Sequence, residues 1–271
     1  MLSLSALYCY PLKSAAGIAL DRAQLEPRGL QYDRRWMVID AENTFVSQRS
    51  EPRLARIQPH LMDTSYALPT LQLRAPDMPV MDVPLIASGS SVPVHVWEDT
   101  VTAVTVNTEV DVWLSEVLAQ PVRLVYLPDD SHRPIDPDFT QVGAHNEVSF
   151  ADGYAVLVVS EASLEDLNTR LDTPIPMNRF RPNVVVHGCA PYAEDDWTTL
   201  QAGDTRLSLV KPCGRCVVTT TDQETLERSP EPLRTLATYR KQGSYVMFGQ
   251  NAVVMQEGWL ERGMPLTVIP T

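Results

Sequence analysis

The stretch Lys211-Pro212-Cys213-Gly214-Arg215-Cys216-Val217-Val218-Thr219-Thr220-Thr221 limits the choice of fold more than any other part of the sequence. In a thioredoxin-like protein, a Cys-x-x-Cys pair ends a strand and begins a helix within a βαβ unit. Here the pair is followed only by Val and Thr, which are β-branched and predict a strand over Cys216–Thr221. The stretch therefore argues against a thioredoxin-like βαβ unit.

The rest of the chain contains many short apolar segments separated by some of its 22 prolines, a pattern typical of short strands. Further strands are predicted at Leu2–Tyr10, Ala55–Gln58, Leu71–Arg74, Val92–Trp97, Thr102–Asn107, Val122–Tyr126, Tyr154–Val159, Asn183–Val186, Leu207–Val210, Ala252–Met255 and Leu266–Ile269, with a hairpin over 36–47. Capping and spacing predict helices at Asp111–Leu118, Ser160–Asn168 and Pro232–Lys241. The sequence thus predicts a β-rich α+β fold with a few helices.

A soft boundary near 119–121 divides the chain into two predicted units, 1–120 and 121–271. The second unit contains a Pro- and Asp-rich segment, Pro128–Gln141, that shows no periodicity. Such a long irregular segment is interpreted either as a functional lid or as disordered chain.

Composition excludes several classes of protein. The net charge of −12 and the absence of a basic stripe argue against a nucleic-acid partner. No run of 18 apolar residues occurs, so we expect no membrane span and no membrane partner. The apolar start Met1–Tyr8 has no basic residues and predicts a first strand, not a signal peptide. The four scattered cysteines suit a reducing compartment, and we expect a cytoplasmic location.

The Cys213–Cys216 pair has several interpretations. A zinc site needs about four ligands, but no second Cys-x-x-Cys occurs and the five histidines are isolated. A thiolate bound to a soft or high-valent metal is the second interpretation, with Arg215 and Lys211 helping to hold the thiolate form. The third is two ordinary cysteines in a turn. Spacing alone leaves these alternatives open.

Basic residues at the ends of predicted strands suggest an anionic ligand. Lys13 and Ser14 follow the first strand, Arg34 precedes another, and Arg181 lies just before the strand at Asn183. A guanidinium binds phosphate or carboxylate through a planar fork. The alternative is that these side chains are solvated surface cations.

Two polar residues, Asp152 and Asn251, adjoin predicted strands, where a turn role is the usual interpretation. Gly249, before Asn251, indicates either a tight backbone approach or an ordinary turn. There is no P-loop, no Gly-x-Gly-x-x-Gly and no Ser-His-Asp order, so nucleotide-fold and serine-hydrolase functions lack support.

Six segments together form a longer pattern. They are Tyr10-Pro11-Leu12-Lys13-Ser14, Asp33-Arg34-Arg35-Trp36, Ser160-Glu161-Ala162-Ser163-Leu164, Arg179-Phe180-Arg181-Pro182-Asn183, Cys213-Gly214-Arg215-Cys216-Val217-Val218-Thr219-Thr220 and Phe248-Gly249-Gln250-Asn251. In this order, over nearly the whole chain, they resemble the MOSC family, and within it the amidoxime-reducing branch with its bacterial members.

The resemblance implies a β-rich N-terminal MOSC-associated domain followed by a MOSC β-barrel domain. It also implies molybdenum held by a molybdopterin, with Cys216 as the metal ligand and catalytic residue. The cofactor contacts that the resemblance implies are Lys13, Ser14, Arg34, Asp152, Gly153, Tyr154, Arg181 and Asn183, with Gly214, Arg215 and Asn251 as weaker assignments. Gly153-Tyr154 departs from the pair of small hydroxyl residues usual in the mitochondrial proteins.

The implied activity is the reduction of N-hydroxylated compounds, amidoximes and hydroxylamines, to amidines and amines. No plant-type cysteine set for an iron–sulfur cluster is present, so we expect no intrinsic cluster. Electrons would then come from a separate ferredoxin-, flavodoxin- or cytochrome b5-like donor with its reductase. Two alternatives remain: a carrier of the cofactor or of sulfur, with a persulfide on Cys216, and a β-rich binding protein with an incidental cysteine pair.

Overall fold

A computed structural model describes residues 1–62 and 70–269 and confirms the β-rich α+β fold. The strands are β1 (Ser3–Cys9), β2 (Ile18–Leu20), β3 (Arg22–Glu26), β4 (Gly29–Leu30), β5 (Trp36–Ile39), β6 (Gln58–Met62), β7 (Thr70–Arg74), β8 (Met81–Pro84), β9 (Ser91–Val96), β10 (Asp99–Thr105), β11 (Arg123–Tyr126), β12 (Val156–Ser160), β13 (Val184–His187), β14 (Thr199–Ala202), β15 (Thr205–Arg215), β16 (Lys241–Gln242), β17 (Tyr245–Gln256), β18 (Gly258–Glu261) and β19 (Thr267–Ile269). The helices are α1 (Thr108–Leu118), α2 (Glu161–Asn168) and α3 (Leu233–Leu236).

The largest sheet joins the first strands of the chain to the last ones. Its order is β19-β14-β15-β17-β12-β13-β1-β2, with β16 paired to β17. β1 runs antiparallel to both β2 and β13. One face of this sheet buries a cluster that includes Leu4, Leu7, Val158 and Val254. The pairing of β1 with β13 brings the segment after β1 close to the segment before β13.

A second sheet has the order β5-β11-β10-β9. β11 lies beyond residue 121, yet it pairs with β5 and β10. In the first sheet, conversely, β1 and β2 pair within a set of strands from beyond residue 121. Both sheets therefore cross the sequence-based division into 1–120 and 121–271, which stays a prediction.

Of the predicted helix starts, that of α2 is confirmed and that of α1 is shifted. Ser160 caps α2 as predicted, since its hydroxyl accepts from the Ser163 amide. The start predicted for α1 at Asp111 was too late, because Asn107 is the cap. The Asp111 carboxylate instead accepts from the amide of Leu124 in β11, at 2.7 Å. α3 is shorter than predicted.

The strand predicted at Cys216–Thr221 is wrong. β15 ends at Arg215, and Val217–Thr220 forms a 3-10 helix. The Thr219 hydroxyl donates to the carbonyl of Cys216 at 3.0 Å, and the Thr220 hydroxyl donates to the carbonyl of Val217 at 2.7 Å. These hydroxyls give the backbone a local partner in place of a sheet neighbour, so the chain turns immediately after Cys216.

The strand predicted at Ala55–Gln58 is also wrong. Pro52–Arg56 forms a 3-10 helix, capped by the Glu51 carboxylate on the amide of Arg53. Pro52 lies in the first turn of this helix, where a missing N–H costs nothing. The strand begins at Gln58 and continues as β6.

The Pro128–Gln141 segment is neither a free lid nor loose chain. Ser131, Arg133 and Ile135 are buried in it. The Arg133 guanidinium donates to Asp99 at 2.8 Å and to the carbonyl of Ser149 at 2.9 Å. Within 1–62 and 70–269, no helix is long and apolar enough to span a bilayer.

Candidate functional site

A cleft of about 430 Å³ opens where the ends of several strands of the large sheet meet the loops of the N-terminal half. It is lined by all twelve residues that the sequence predicts for the site, namely Lys13, Ser14, Arg34, Asp152, Gly153, Tyr154, Arg181, Asn183, Gly214, Arg215, Cys216 and Asn251. The structure thus brings together residues separated by more than two hundred positions in sequence. What each of them binds stays a prediction.

The charge of the cleft is opposite to that of the whole protein. Of the described residues that line it, six are cationic and one is a carboxylate, although the chain carries a net charge of −12. The cations are Lys13, Arg34, Arg49, Arg181, Lys211 and Arg215, and the carboxylate is Asp152. Such a local excess of positive charge attracts an anionic ligand.

Lys13 is buried beside the loop that carries Asp152. Its ammonium donates to the Phe150 carbonyl at 2.8 Å and to the Asp152 carboxylate at 2.5 Å. Burial lowers the pKa of Lys13, and Asp152 offsets this only in part. Desolvation in the cleft would raise the pKa of Asp152, but Lys13, with help from Arg49 and Arg34, holds that pKa well below its usual range.

Arg34 is oriented by two buried polar residues. Its guanidinium donates to the Asp33 carboxylate and, at 3.0 Å, to the Asn183 side-chain oxygen. The Asn183 amide in turn donates to Asp33 at 3.0 Å and to the carbonyl of Tyr8 at 3.1 Å. Both groups of the Asn183 side chain thus bond to the protein and help to orient Arg34, and the cofactor contact expected of Asn183 stays a prediction. Burial raises the pKa of Asp33, and the Arg34 guanidinium opposes this shift.

The Tyr10 ring holds two guanidiniums at the cleft wall. Arg34 lies 4.4 Å from its centroid and Arg181 lies 4.3 Å from it. The ring is 2% exposed, and its hydroxyl donates to the Pro182 carbonyl at 3.1 Å. Burial lowers the pKa of Arg181 to about 10, so it stays charged at neutral pH. A Cβ added at Gly17 would lie 2.4 Å from the Tyr10 ring, so this glycine leaves room for the ring.

Strained backbone is concentrated at the cleft. Ten non-glycine residues in the described ranges have positive φ, and four of them line the cleft. These are Ser14 (φ 69°), Arg34 (φ 49°), Trp97 (φ 56°) and Arg181 (φ 54°). Left-handed backbone is unfavourable for such side chains, and residues held there often belong to functional sites.

Cys216 lies at the end of β15, half-buried in the cleft wall. The cation at its sulfur is Arg49, which donates to Sγ at 3.4 Å. The sequence interpretation named Arg215 and Lys211 as the cations that help to hold the thiolate form of the cysteine pair, and this stays a prediction. Arg215 donates to the Cys213 sulfur at 2.9 Å, and the Lys211 ammonium lies 4.0 Å from the Phe139 ring centroid. Alternate residues of a strand point to opposite faces, so sequence neighbours of Cys216 need not lie beside its sulfur.

The described ranges give little support to a zinc site or a disulfide at the cysteines. No group of three or more His, Cys, Asp or Glu side chains is arranged to hold a metal ion there, so the zinc interpretation gains no further ligands. All four cysteines are free thiols.

The glycines at or near the cleft differ in how much space a side chain would have. Gly153 has open space at its Cβ position, whereas a Cβ at Gly214 would lie 3.3 Å from Tyr245. Gly249, two residues before Asn251, has φ 78° inside β17, and a Cβ there would lie 2.7 Å from the Val159 side chain. The tight backbone approach suggested by the sequence is therefore real, and the partner is β12.

Two buried side-chain polar atoms of cleft-lining residues have no hydrogen-bond partner among the described residues. They are the Tyr154 hydroxyl and Nε of Arg215. Burial raises the pKa of Tyr154 to about 12, so this hydroxyl keeps its proton at neutral pH. Both groups are donors that a polar ligand could satisfy.

Sequence reasoning missed several cleft residues. Arg49, Trp97, Gln48 and Tyr245 all line the cleft. Arg49 has no local pattern that separates it from a surface cation, and Trp97 falls in what reads as the end of an ordinary strand. Only the fold brings them to Cys216.

The comparisons with known proteins agree over almost the whole chain. A family model described as MOSC N-terminal beta barrel domain matches residues 1–121, and a MOSC domain model matches residues 145–267. Mitochondrial amidoxime-reducing component 1 of Mus musculus is 33% identical, over 98% of this chain and 82% of that protein. The Homo sapiens protein of the same name is 32% identical, over 98% and 83%. A molybdenum cofactor sulfurase of Danio rerio is 34% identical over 88% of this chain but only 30% of its own length. This chain therefore belongs to the MOSC family, as a relative of the mitochondrial amidoxime-reducing components.

Proposed function

We propose that this protein is a molybdenum-cofactor-dependent reductase of N-hydroxylated compounds. The observation that carries the proposal is one cleft lined by six cations and a half-buried cysteine, Cys216, in an otherwise acidic protein. The names of its relatives, amidoxime-reducing components, support the reaction class.

The residues present fit a molybdenum–molybdopterin cofactor. Its phosphate and pterin need cations and polar donors, and the cleft offers both. Lys13, Arg34 and Arg181 are held by protein contacts before any ligand arrives, which lowers the entropy lost on binding. The partnerless Tyr154 hydroxyl and Arg215 Nε are further donors for the polar parts of the group.

Each part of the chain then has a distinct task. Lys13, Arg34 and Arg181 neutralise the anionic parts of the cofactor, with Ser14, Asp152, Gly153, Asn183, Gly214 and Asn251 shaping the surrounding wall. Cys216 supplies the thiolate that binds molybdenum, and Arg49 orients its sulfur. When bound, the cofactor would supply the two-electron chemistry that removes oxygen from an N–OH group. The substrate takes up two electrons and two protons, and gives the amine or amidine and water.

The electrons are proposed to come from a separate donor protein of the ferredoxin, flavodoxin or cytochrome b5 type, with its reductase. No iron–sulfur cluster of this chain is part of the proposal. The cytoplasmic location stays a prediction, which cell fractionation tests.

Metal analysis of matched cysteine variants tests the proposal. Wild type and Cys213→Ala are expected to retain molybdenum and reduce benzamidoxime with a chemically reduced donor. Cys216→Ala is expected to lose both, because alanine offers no atom that can bind the metal. Wild type that contains intact cofactor but reduces no N-hydroxylated compound with any donor would contradict the proposal.

The second candidate is a carrier of sulfur or of the cofactor without reductase activity. The similarity to a molybdenum cofactor sulfurase favours it. Intact-mass spectrometry distinguishes the two, since a carrier would show one extra sulfur atom on Cys216 in protein without molybdenum.

A further inference from the structure

Trp97 occupies a backbone position that suits glycine. β9 and β10 pair Val96 with Asp99, so Trp97 and Glu98 form a two-residue hairpin turn. Trp97 has φ 56°. Turns of this length take Gly or Asn where φ is positive, and a bulky aromatic residue there is an outlier. Something other than the turn must therefore hold the indole in place.

Three contacts fix the indole. The Phe45 ring packs on it with centroids 4.9 Å apart, and the Arg49 guanidinium lies 4.2 Å from its centroid. The indole N–H donates to the Asp152 carboxylate at 3.3 Å. Arg49 also donates to Cys216, and Asp152 also binds Lys13. Through these two residues, Trp97 is connected to both ends of the cleft.

The indole is nevertheless not covered. Trp97 is 41% exposed although it lines the cleft. Tyr245, 63% exposed, also lines the cleft, where it packs against Gly214. Two aromatic side chains thus present uncovered surface at the mouth of the cleft. Trp97 contacts Arg49, which donates to Cys216, and Tyr245 lies beside Gly214, two residues before Cys216. Aromatic faces prefer flat aromatic partners.

We propose that Trp97 is a specificity-determining residue, whose strained turn presents the indole so that the mouth of the cleft selects substrates with the N–OH group on a flat aromatic ring. Tyr245 forms the second aromatic wall. This inference rests on the proposed function for the identity of the reacting group, but the aromatic preference is a property of the cleft mouth and is measurable as binding.

The test compares benzamidoxime with acetamidoxime, its aliphatic counterpart, by calorimetric titration of wild type as purified. Trp97→Gly removes the indole and suits the left-handed backbone; Trp97→Asn does the same with a second tolerated residue. Trp97→Phe keeps a flat ring. The matched control is Trp259→Ala, because Trp259 is also exposed and also stacks with an arginine, Arg22 at 4.0 Å, but is not among the residues that line the cleft.

Wild type and Trp259→Ala are expected to prefer benzamidoxime, and Trp97→Gly and Trp97→Asn to lose roughly three- to tenfold of that preference. Trp97→Phe is expected to recover most of it. Wild type without an aromatic preference overturns the inference, as does a preference that persists in both folded Trp97→Gly and Trp97→Asn. Reduction of the two compounds is measured in parallel: if neither is reduced by cofactor-loaded wild type, the proposed function fails while the binding result still decides the role of Trp97.

Discussion

Tyr10 and Gly17 show how strongly the cleft depends on single residues. A methyl group at Gly17 would meet the Tyr10 ring, which is buried and cannot move without displacing Arg34 and Arg181. We expect Gly17→Ala to lower the free energy of unfolding by about 1–3 kcal/mol and to reduce the molybdenum content of the purified protein.

Gly153→Ala is the matched control, since its Cβ position is open. Its free energy of unfolding should stay within about 0.5 kcal/mol of wild type. Urea denaturation measures both variants. Equal stability of the two variants, together with wild-type metal content in Gly17→Ala, would show that the Tyr10 ring has room to move.

The ion pair of Lys13 and Asp152 makes a pH-dependent contribution to stability. The pKa of Asp152 is held below its ordinary value of 3.8, so the pair is intact above that pH and is lost as pH falls toward the depressed pKa. We expect Asp152→Asn to cost about 1–2 kcal/mol at pH 7, a modest amount because 66% of the Asp152 side chain is exposed.

Denaturation at pH 7 and again below pH 3.8 should show this difference and then its shrinkage, because below pH 3.8 the unfolded chain binds a proton at Asp152 that the folded protein does not yet bind. A difference that grows on acidification would contradict the assignment of the pair.

Residues of this site were predictable from sequence only as members of a recognisable pattern. Lys13, Arg34 and Arg181 adjoin strands, and that alone makes them candidates. The protein contacts of Asn183 could not be predicted, because its partners Asp33 and Tyr8 lie some 150 to 175 positions away. Arg49 could not be found at all, since only tertiary contact places it at Cys216.

Among the secondary-structure elements, the 3-10 helix Val217–Thr220 decides how Cys216 is presented. We expect Thr219→Val to destabilise the protein by about 1 kcal/mol, because the hydroxyl that bonds to the Cys216 carbonyl is lost without a change of shape. We also expect it to lower molybdenum content, because the backbone at Cys216 becomes less fixed.

Thr238→Val is the control, since Thr238 makes the same kind of bond to the Thr235 carbonyl at 2.7 Å, in a segment that does not line the cleft. Elemental analysis and thermal denaturation compare the two variants. Metal content that falls equally in both would show that the effect is not local to Cys216.

The α2 cap and the strands that follow from a local sequence pattern were predicted well. Elements that depend on hydrogen bonds between side chains and backbone were not. The Ser160 cap and the apolar strands β1, β12 and β13 follow from local pattern. The run Val217–Thr220 has strand composition, yet its hydroxyls bond to its own backbone. Short strands such as β2 and β14 were missed because neither carries a long apolar run.

At the level of the whole molecule, the two sheets make the halves of the chain depend on each other. Fragment 121–271 lacks β1 and β2, and fragment 1–120 lacks β11. We expect neither fragment to fold alone, and the intact protein to unfold in one cooperative transition. Calorimetry of the intact chain and NMR spectra of the separate fragments check this. A dispersed spectrum and a cooperative melt for either fragment would contradict it.

The fold class was predictable, because a chain with many short apolar segments and few helices is compatible with few fold classes other than a β-rich one. The connectivity was not, because nothing in the sequence of β1 states that its partner is β13.

The position of β1 also governs how this protein is made. β1 leaves the ribosome long before β13. The Ser5 hydroxyl finds its partner in β13 180 residues later, and the cleft is complete only once Asn251 has been synthesised. Until then the apolar face of β1 is exposed, so a chaperone can bind to it and other unfolded chains can aggregate on it. Under the proposed function, cofactor loading would therefore follow synthesis of the strand that carries Asn251. We then expect a cell that overproduces this protein to accumulate an empty, folded form whenever translation outpaces cofactor supply.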